Sequence, residues 1–177
     1  MKVELKANGK TVQVEMTEEQ LKKLGAIKPR TGYERVKKGE MYYVINTKDN
    51  SMINIKEFND EMDEQCYNIG NYYNDKIIAE NNARADRLLR QLRQWQAQND
   101  EVISKEDWED HDLTKYFIIY DYDSNVISPG RTWWMRGTNN IYFKSREKAE
   151  EAIEAFRDEL LWYFTEYVQR LDEVQNG

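Results

Sequence analysis

Carboxylates are the residues whose density first suggests chemistry. Glu57, Asp60, Glu61, Asp63 and Glu64 crowd one stretch, and Asp100, Glu101, Glu106, Asp107, Glu109, Asp110 and Asp112 crowd another, offset only by Lys105 and His111. Carboxylates this dense can imitate a row of phosphates, fill a basic groove and steer a cationic partner from a distance. They also fit solvated surface loops. The acids that carry the partner-binding reading are Glu61, Asp63, Glu64, Asp107, Glu109 and Asp110. A divalent cation held by Asp107, Glu109, Asp110 and His111 would suit hard oxygen ligands, but the spacing matches no EF-hand loop and lacks its glycine, so no metal or cofactor is expected.

Two other constellations could recognise a partner. Arg84, Arg87, Arg90 and Arg93 recur every third residue, so on a helix each steps about 60° back from the last and together they form a slanting basic ridge. Guanidinium forks fit phosphates, a partner's carboxylates or the chain's own acids equally well. Trp133 and Trp134, read as neighbours on a strand, send one ring inward and one outward, and the outward ring is a candidate interface anchor. Trp162 opens Trp162-Tyr163-Phe164-Thr165-Glu166-Tyr167, aromatic on more than one side of a helix, which suggests self-association or a partner surface. The paired aromatics Tyr42-Tyr43, Tyr72-Tyr73, Tyr116-Phe117 and Tyr142-Phe143 could stack bases, but alternation on strands sends about half of them to the core.

Catalysis finds little support. The chain has no G-x-S-x-G, no phosphate-binding glycine loop and, with one His, no H-E-x-x-H. His111 sits amid acids that suit it to carrying charge, and Cys66 lies among carboxylates, a poor setting for a thiolate nucleophile. The expectation is a non-enzyme.

The elements that must position these groups are legible in pattern. The 177 residues carry a net charge of −7, one Cys, one His, two Pro, eight Gly, 5 Trp, 12 Tyr and 5 Phe. That composition excludes an internal disulfide and a Cys/His zinc cluster. Mean hydropathy is −0.95, yet the aromatics supply enough buriable surface for a folded domain with a charged exterior. No apolar run approaches the roughly 20 residues that cross a bilayer, and Met1-Lys2-Val3-Glu4 does not open a signal peptide. A soluble, cytoplasmic protein without a membrane partner is expected.

Residues 1–25 read as a leader: a β-hairpin around Asn8-Gly9, then a short helix opened by a Thr17/Gln20 capping box and closed by Gly25. Residues 26–39 form a basic linker. Residues 40–98 place strands at Met41–Ile45 and Met52–Ile55, an acidic loop, a short apolar strand at Ile69–Tyr73, and an amphipathic helix over 76–97 with Leu88, Leu92 and Trp95 on its stripe. After an acidic connector at 99–113 the order recurs in 114–177. There a strand spans Lys115–Tyr120, a second one broken by Pro129-Gly130 spans Val126–Met135, and a third spans Asn140–Phe143. A helix of about 29 residues then starts at Ser145, overhanging the core. Superposing Tyr72-Tyr73 on Tyr142-Phe143 aligns Asp75 with Ser145 and Ala79-Glu80 with Ala149-Glu150, and Tyr42-Tyr43 falls on Tyr116-Phe117. The fold class is α+β: a hairpin-helix leader followed by two divergent β-β-β-α units with long amphipathic helices, whose pairing would bury the bare sheet face and helix stripe of each.

Ile69-Gly70-Asn71-Tyr72-Tyr73 before Ala79-Glu80, Ile141-Tyr142-Phe143-Lys144-Ser145 before Lys148-Ala149-Glu150, and Asp107-Trp108 before Lys115-Tyr116-Phe117 resemble a family of small prophage and mobile-element proteins of Firmicutes over about residues 33–165. The Asn8-Gly9-Lys10 hairpin and Thr17–Leu21 are similar to leaders in the same elements. The resemblance carries no catalytic residue across. It implies a phage context, and some proteins of this general look are anti-CRISPR inhibitors of type II effector nucleases. The functional expectation is an acidic inhibitor of a host CRISPR effector nuclease, acting in the bacterial cytoplasm. The alternatives are a nucleic-acid accessory protein using the arginine ridge, and a homodimer built on the C-terminal helix.

Overall fold

The computed structural model describes residues 2–7, 10–25 and 30–174. Its elements are β1 (Lys2–Ala7), β2 (Lys10–Glu15), α1 (Glu18–Lys23), β3 (Met41–Ile45), β4 (Met52–Lys56), α2 (Glu61–Asn68), α3 (Lys76–Asn99), α4 (Lys105–Glu109), β5 (Lys115–Asp121), β6 (Val126–Thr132), β7 (Tyr142–Phe143), α5 (Arg146–Ala155), α6 (Arg157–Thr165) and α7 (Leu171–Val174). Helices and antiparallel sheets together make an α+β fold.

β1 and β2 pair antiparallel as the alternation requires, from Lys2↔Glu15 to Ala7↔Lys10. The Asn8-Gly9 turn expected between them lies outside the described residues, as does the 26–29 part of the basic linker. The Thr17/Gln20 capping box is present, with Gln20 N–H donating to Thr17 Oγ1 at 3.2 Å and Thr17 N–H to Gln20 Oε1 at 2.9 Å.

The two following sheets are built alike. β3 pairs antiparallel with β4, and its Tyr43 bridges Tyr73. β5 pairs antiparallel with β6 on one side and β7 on the other. Each sheet leads into a helix with a side-chain cap: Asp75 accepts from Ile78 N–H at 3.0 Å, and Ser145 from Lys148 N–H at 3.1 Å. One turn on, Ala79 and Ala149 are completely buried, where any larger side chain would push helix and sheet apart.

α3 serves both sheets. Its first half contributes Ile78, Ala79 and Ala83 to a cluster with Ile45 and Tyr73. Leu88 and Leu92 in its second half pack with Ile153 and Leu160, and Trp95 lies against Phe143 and the α5 alanines.

Besides the short helix α4 within the acidic connector, five features depart from the sequence pattern. The acidic stretch after β4 is no loop but helix α2, opened by a reciprocal Asp60/Asp63 capping box, and it covers the Tyr42/Val44 face of the β3–β4 sheet through Cys66. Ile69–Tyr73 forms only the single Tyr43–Tyr73 bridge. β6 runs unbroken through Pro129-Gly130, because it is an edge strand where a missing N–H is tolerated. Gly130 fits because an added Cβ would stand 2.9 Å from Ile119 Cγ2 and 3.1 Å from the Phe117 ring. β6 ends at Thr132, so Trp133 and Trp134 sit in the following loop and not on a strand.

The fifth departure is the C-terminal helix. It breaks at Phe156, whose φ of −121° and ψ of 20° are not helical, and α6 stops at Thr165. The break swings α6 so that Leu160 reaches Leu88 and Leu92. The chain then turns back: Asn81 Nδ2 donates to the Val168 carbonyl, Tyr33 Oη to the Gln169 carbonyl, and Leu171 N–H to the Thr31 carbonyl. Within the described part of the linker, residues 31–36 are likewise laid against the core, with Gly32 against Ile78 and Tyr33 beside Tyr73, while Arg30 and Lys37–Gly39 are exposed. No helix among the described residues is long and apolar enough to cross a membrane.

The paired caps give a direct test. Asp75→Ala and Ser145→Ala should each lower the free energy of unfolding by about 1 kcal/mol. Urea denaturation should show a reduced midpoint with an unchanged slope.

Candidate functional site

The two acid stretches have different fates. In the first, Glu57 and Asp63 are turned inward, with exposures of 0% and 1%. Tyr42 Oη donates to Asp63 Oδ1 at 2.7 Å, and the Phe58 and Asp60 amides donate to Oδ2 at 2.7 and 3.1 Å. Burial pushes the Asp63 carboxyl up, but these donors outweigh it and hold it lowered, at about 2. Tyr72 Oη donates to Glu57 Oε2 at 2.6 Å, and the Arg35 guanidinium bridges Glu57 and Glu64. Tyr42 and Tyr72 stack at 4.0 Å in the middle, both with hydroxyls pushed up by burial and by their carboxylate partners. Asp63 is therefore a structural acid and not a partner contact, Glu64 is committed to Arg35, and of the three acids expected here only Glu61 stands exposed without an ion pair among the described residues.

The second stretch remains a surface. It holds one helical turn, α4, opened by a Ser104/Asp107 capping box. Asp107 is half-buried, with its carboxyl lowered by the Ser104 amide and Lys144 nearby at 3.5 Å. Lys144 also reaches Glu101 at 3.3 Å, and Glu109 pairs with Lys105 at 3.5 Å across exposed helix surface, an interaction of little energy. Glu106, Asp110 and Asp112 are exposed and form no ion pair among the described residues.

This connector is tied to the Trp133–Trp134 loop by a residue that the sequence does not single out. Lys115, at the start of β5, is 0% exposed, and its Nζ donates to the Asp110 carbonyl and the Trp133 carbonyl, both at 2.8 Å. The ammonium also lies 5.5 Å from the centre of the Trp108 ring. A buried charge requires such compensation, here from two carbonyl dipoles and a ring face. Above the clasp, Trp133 is half-buried with Arg131 over it, while Trp134 is 60% exposed and Met135 66% exposed. The His111 ring lies 5.8 Å from that of Trp134. Exposed carboxylates and an exposed aromatic anchor thus share one end of the molecule. Periodicity reads a strand-opening lysine as an exposed charge, and nothing near Lys115 marks it otherwise.

The arginine ridge divides. Arg84 is spent internally: Nε donates to Glu159 Oε2 at 2.9 Å, and the guanidinium lies 4.0 Å over the Trp162 ring. Trp162 is buried by this stacking, and Tyr163 and Phe164 pack on the Leu88/Leu92 cluster, so the aromatic segment expected to serve self-association is consumed within the chain. Arg90 is exposed and donates to Asn50 Oδ1 at 2.6 Å. Arg87 and Arg93 are exposed, and Arg93 borders a groove with Trp108 and Arg136.

Among the described residues no group of three or more His, Cys, Asp or Glu side chains is placed to hold a metal ion. Comparison with protein-family models, with curated proteins and with solved structures finds no match.

Two outcomes check this arrangement. The lowered Asp63 carboxyl stabilises the fold fully above about pH 4, the ordinary aspartate value, and that stability drains away as the pH falls toward 2. Tyr42→Phe removes a donor to a buried carboxylate. It should cost about 1–3 kcal/mol at neutral pH and shift acid unfolding to higher pH in a circular-dichroism titration. Lys115→Met should leave the sheets folded but frees the Asp110 and Trp133 carbonyls, so amide hydrogen exchange should accelerate in 108–112 and 132–136 and not in α2.

Proposed function

We propose that this chain is a non-enzymatic binding protein that engages a positively charged macromolecular partner through the acidic connector and the Trp133–Trp134 loop. The observation that carries this reading is the Lys115 clasp, which ties two segments of distinct chemistry to one point of the sheet. Carboxylates at Glu106, Glu109, Asp110 and Asp112 supply long-range attraction. Trp134 and Met135 supply the desolvated centre that interface energetics require. The resemblance to prophage and mobile-element proteins makes a host defence nuclease, specifically a type II CRISPR effector in the bacterial cytoplasm, the partner proposed. In such an enzyme a basic channel that normally holds nucleic acid would receive the carboxylates. The nucleic-acid accessory reading draws less support, because Arg84 is withdrawn from the ridge.

Size-exclusion co-elution and cleavage assays with a purified type II effector, with and without guide RNA, test the proposal. The expected result is a stoichiometric complex and suppressed DNA cleavage. Trp134→Ala should weaken it about thirtyfold, on the scale of an interface hot spot. Glu109→Lys with Asp110→Lys should slow association and flatten its salt dependence, while Glu61→Lys on α2 should change little. No complex together with undiminished cleavage would overturn the proposal.

A further inference from the structure

A groove of about 520 Å³ runs between the last turns of α3, the start of the connector and the β6–β7 loop. Its size falls within the roughly 300–1,000 Å³ of ligand sites. Two guanidinium side chains, Arg93 from α3 and Arg136 from the loop, border it, and neither forms an ion pair among the described residues. The chain has 33 acids against 26 bases; Arg35, Arg84, Arg146, Arg157 and Arg170 find carboxylates, whereas these two, like Arg87, Arg90 and Arg131, stay free to meet an anionic ligand. The one carboxylate among the lining residues, Asp100, is turned to the backbone, accepting from the Lys144 amide and the Glu101 amide at 2.8 Å each. The groove is therefore a cationic place on an anionic molecule.

It is also held in shape. The Arg136 guanidinium lies 5.4 Å over the Trp108 ring, and Trp108 stands edge-on to Tyr142 at 4.9 Å. The Tyr142 hydroxyl accepts from Gly137 N–H at 2.6 Å, which fixes the loop that carries Arg136. Arg136 is itself exposed, so its guanidinium is open to a cation–π contact with a further aromatic ring. Gln96, Thr138 and Asn140 bring amide and hydroxyl groups to the same walls, and Val102, exposed on the rim, offers apolar surface.

We infer that this groove binds a nucleotide unit, its phosphate held by Arg93 and Arg136 and its base set against the Arg136 guanidinium beside Trp108. The unit is either a free mononucleotide or one residue of a single strand. An acidic peptide would satisfy the guanidiniums but leave the cation–π contact and the amide edges unused. The inference does not rest on the partner proposed above, since the Trp134 surface and the groove are tested by different variants.

Amide chemical-shift mapping of the full chain tests it, with adenosine monophosphate, uridine monophosphate, inorganic phosphate and ten-residue oligo(dT) and oligo(U) as probes. Shifts confined to residues 93–108 and 136–142 are expected. Arg93→Gln and Arg136→Gln should each weaken binding about tenfold or more, the loss of a charge-assisted hydrogen bond, whereas Trp134→Ala and Arg87→Gln should not. Oligonucleotides binding at least tenfold tighter than monophosphates would identify a strand as the source, and equal affinity a free nucleotide. For a strand, log affinity should fall with log salt at a slope of about 0.7, one phosphate contact. Inorganic phosphate or an acidic peptide binding as well as the nucleotides would overturn the inference, as would binding unaffected in both arginine variants or no shifts at millimolar probe.

Discussion

One helix with one apolar stripe has to cover two sheets. β3–β4 is two strands of five residues joined by a single extra bridge, and β6–β5–β7 ends in a strand of two residues, so neither sheet could bury a core alone. α3 resolves this by length. Its 24 residues span about 36 Å, enough for Ile78, Ala79 and Ala83 to close the first sheet and Leu88, Leu92 and Trp95 to meet the second. The consequences spread outward. α5 packs beside α3 through Ile153, α6 bends at Phe156 to add Leu160, and the tail returns with Val168 and Leu171 to the first cluster.

The other face of each sheet is closed by polar means, and the two solutions correspond. Tyr43 pairs with Tyr73 and Tyr116 with Phe143, which makes Tyr42 and Lys115 counterparts, both fully buried on the face away from α3. Tyr42 reaches a carboxylate on α2, and Lys115 reaches the carbonyl that ends α4. In both places a buried polar group fixes a short acidic helix to its sheet. Satisfied networks of this sort rigidify what they join, which is how acid-rich segments with little apolar surface hold a defined position.

Much of this was legible in the residues. Strand alternation located β3, β4 and β5, and a run without Gly or Pro located α3. The Asp75 and Ser145 caps fell where the repeated aromatic pairs put them. The superposition of Tyr42 on Tyr116 was one residue out, and on a strand one residue exchanges the faces. Tyrosine matched tyrosine in sequence, whereas Tyr42 and Lys115 share an environment and no side-chain type. α2 and α4 were hidden because charge count outweighed the Asp60/Asp63 and Ser104/Asp107 capping pairs that mark them. The overlong C-terminal helix came from an apolar periodicity that continues through Phe156, since a bend that preserves packing leaves no trace in the period. For the site, the sequence supplied Trp134, Asp110 and Glu109, but not Lys115, which joins them.

Net charge alone would spread acidity over the whole surface, and the structure does not. Glu57 and Asp63 are buried, Glu64 and Glu159 answer arginines, Asp60, Asp75 and Asp100 accept from backbone amides, and Asp107 accepts from the Ser104 amide beside Lys144. The exposed remainder near Trp134 adjoins a groove bordered by two guanidiniums, since the connector supplies residues to both. Opposite signs this close do not cancel for a ligand in contact, because the Coulomb energy falls with distance and the charge a few ångströms away outweighs the one farther off. A partner that fills both surfaces at once must itself present both signs. A cationic protein channel with a nucleic-acid strand at its edge does so, and neither a bare duplex nor a uniformly basic protein would.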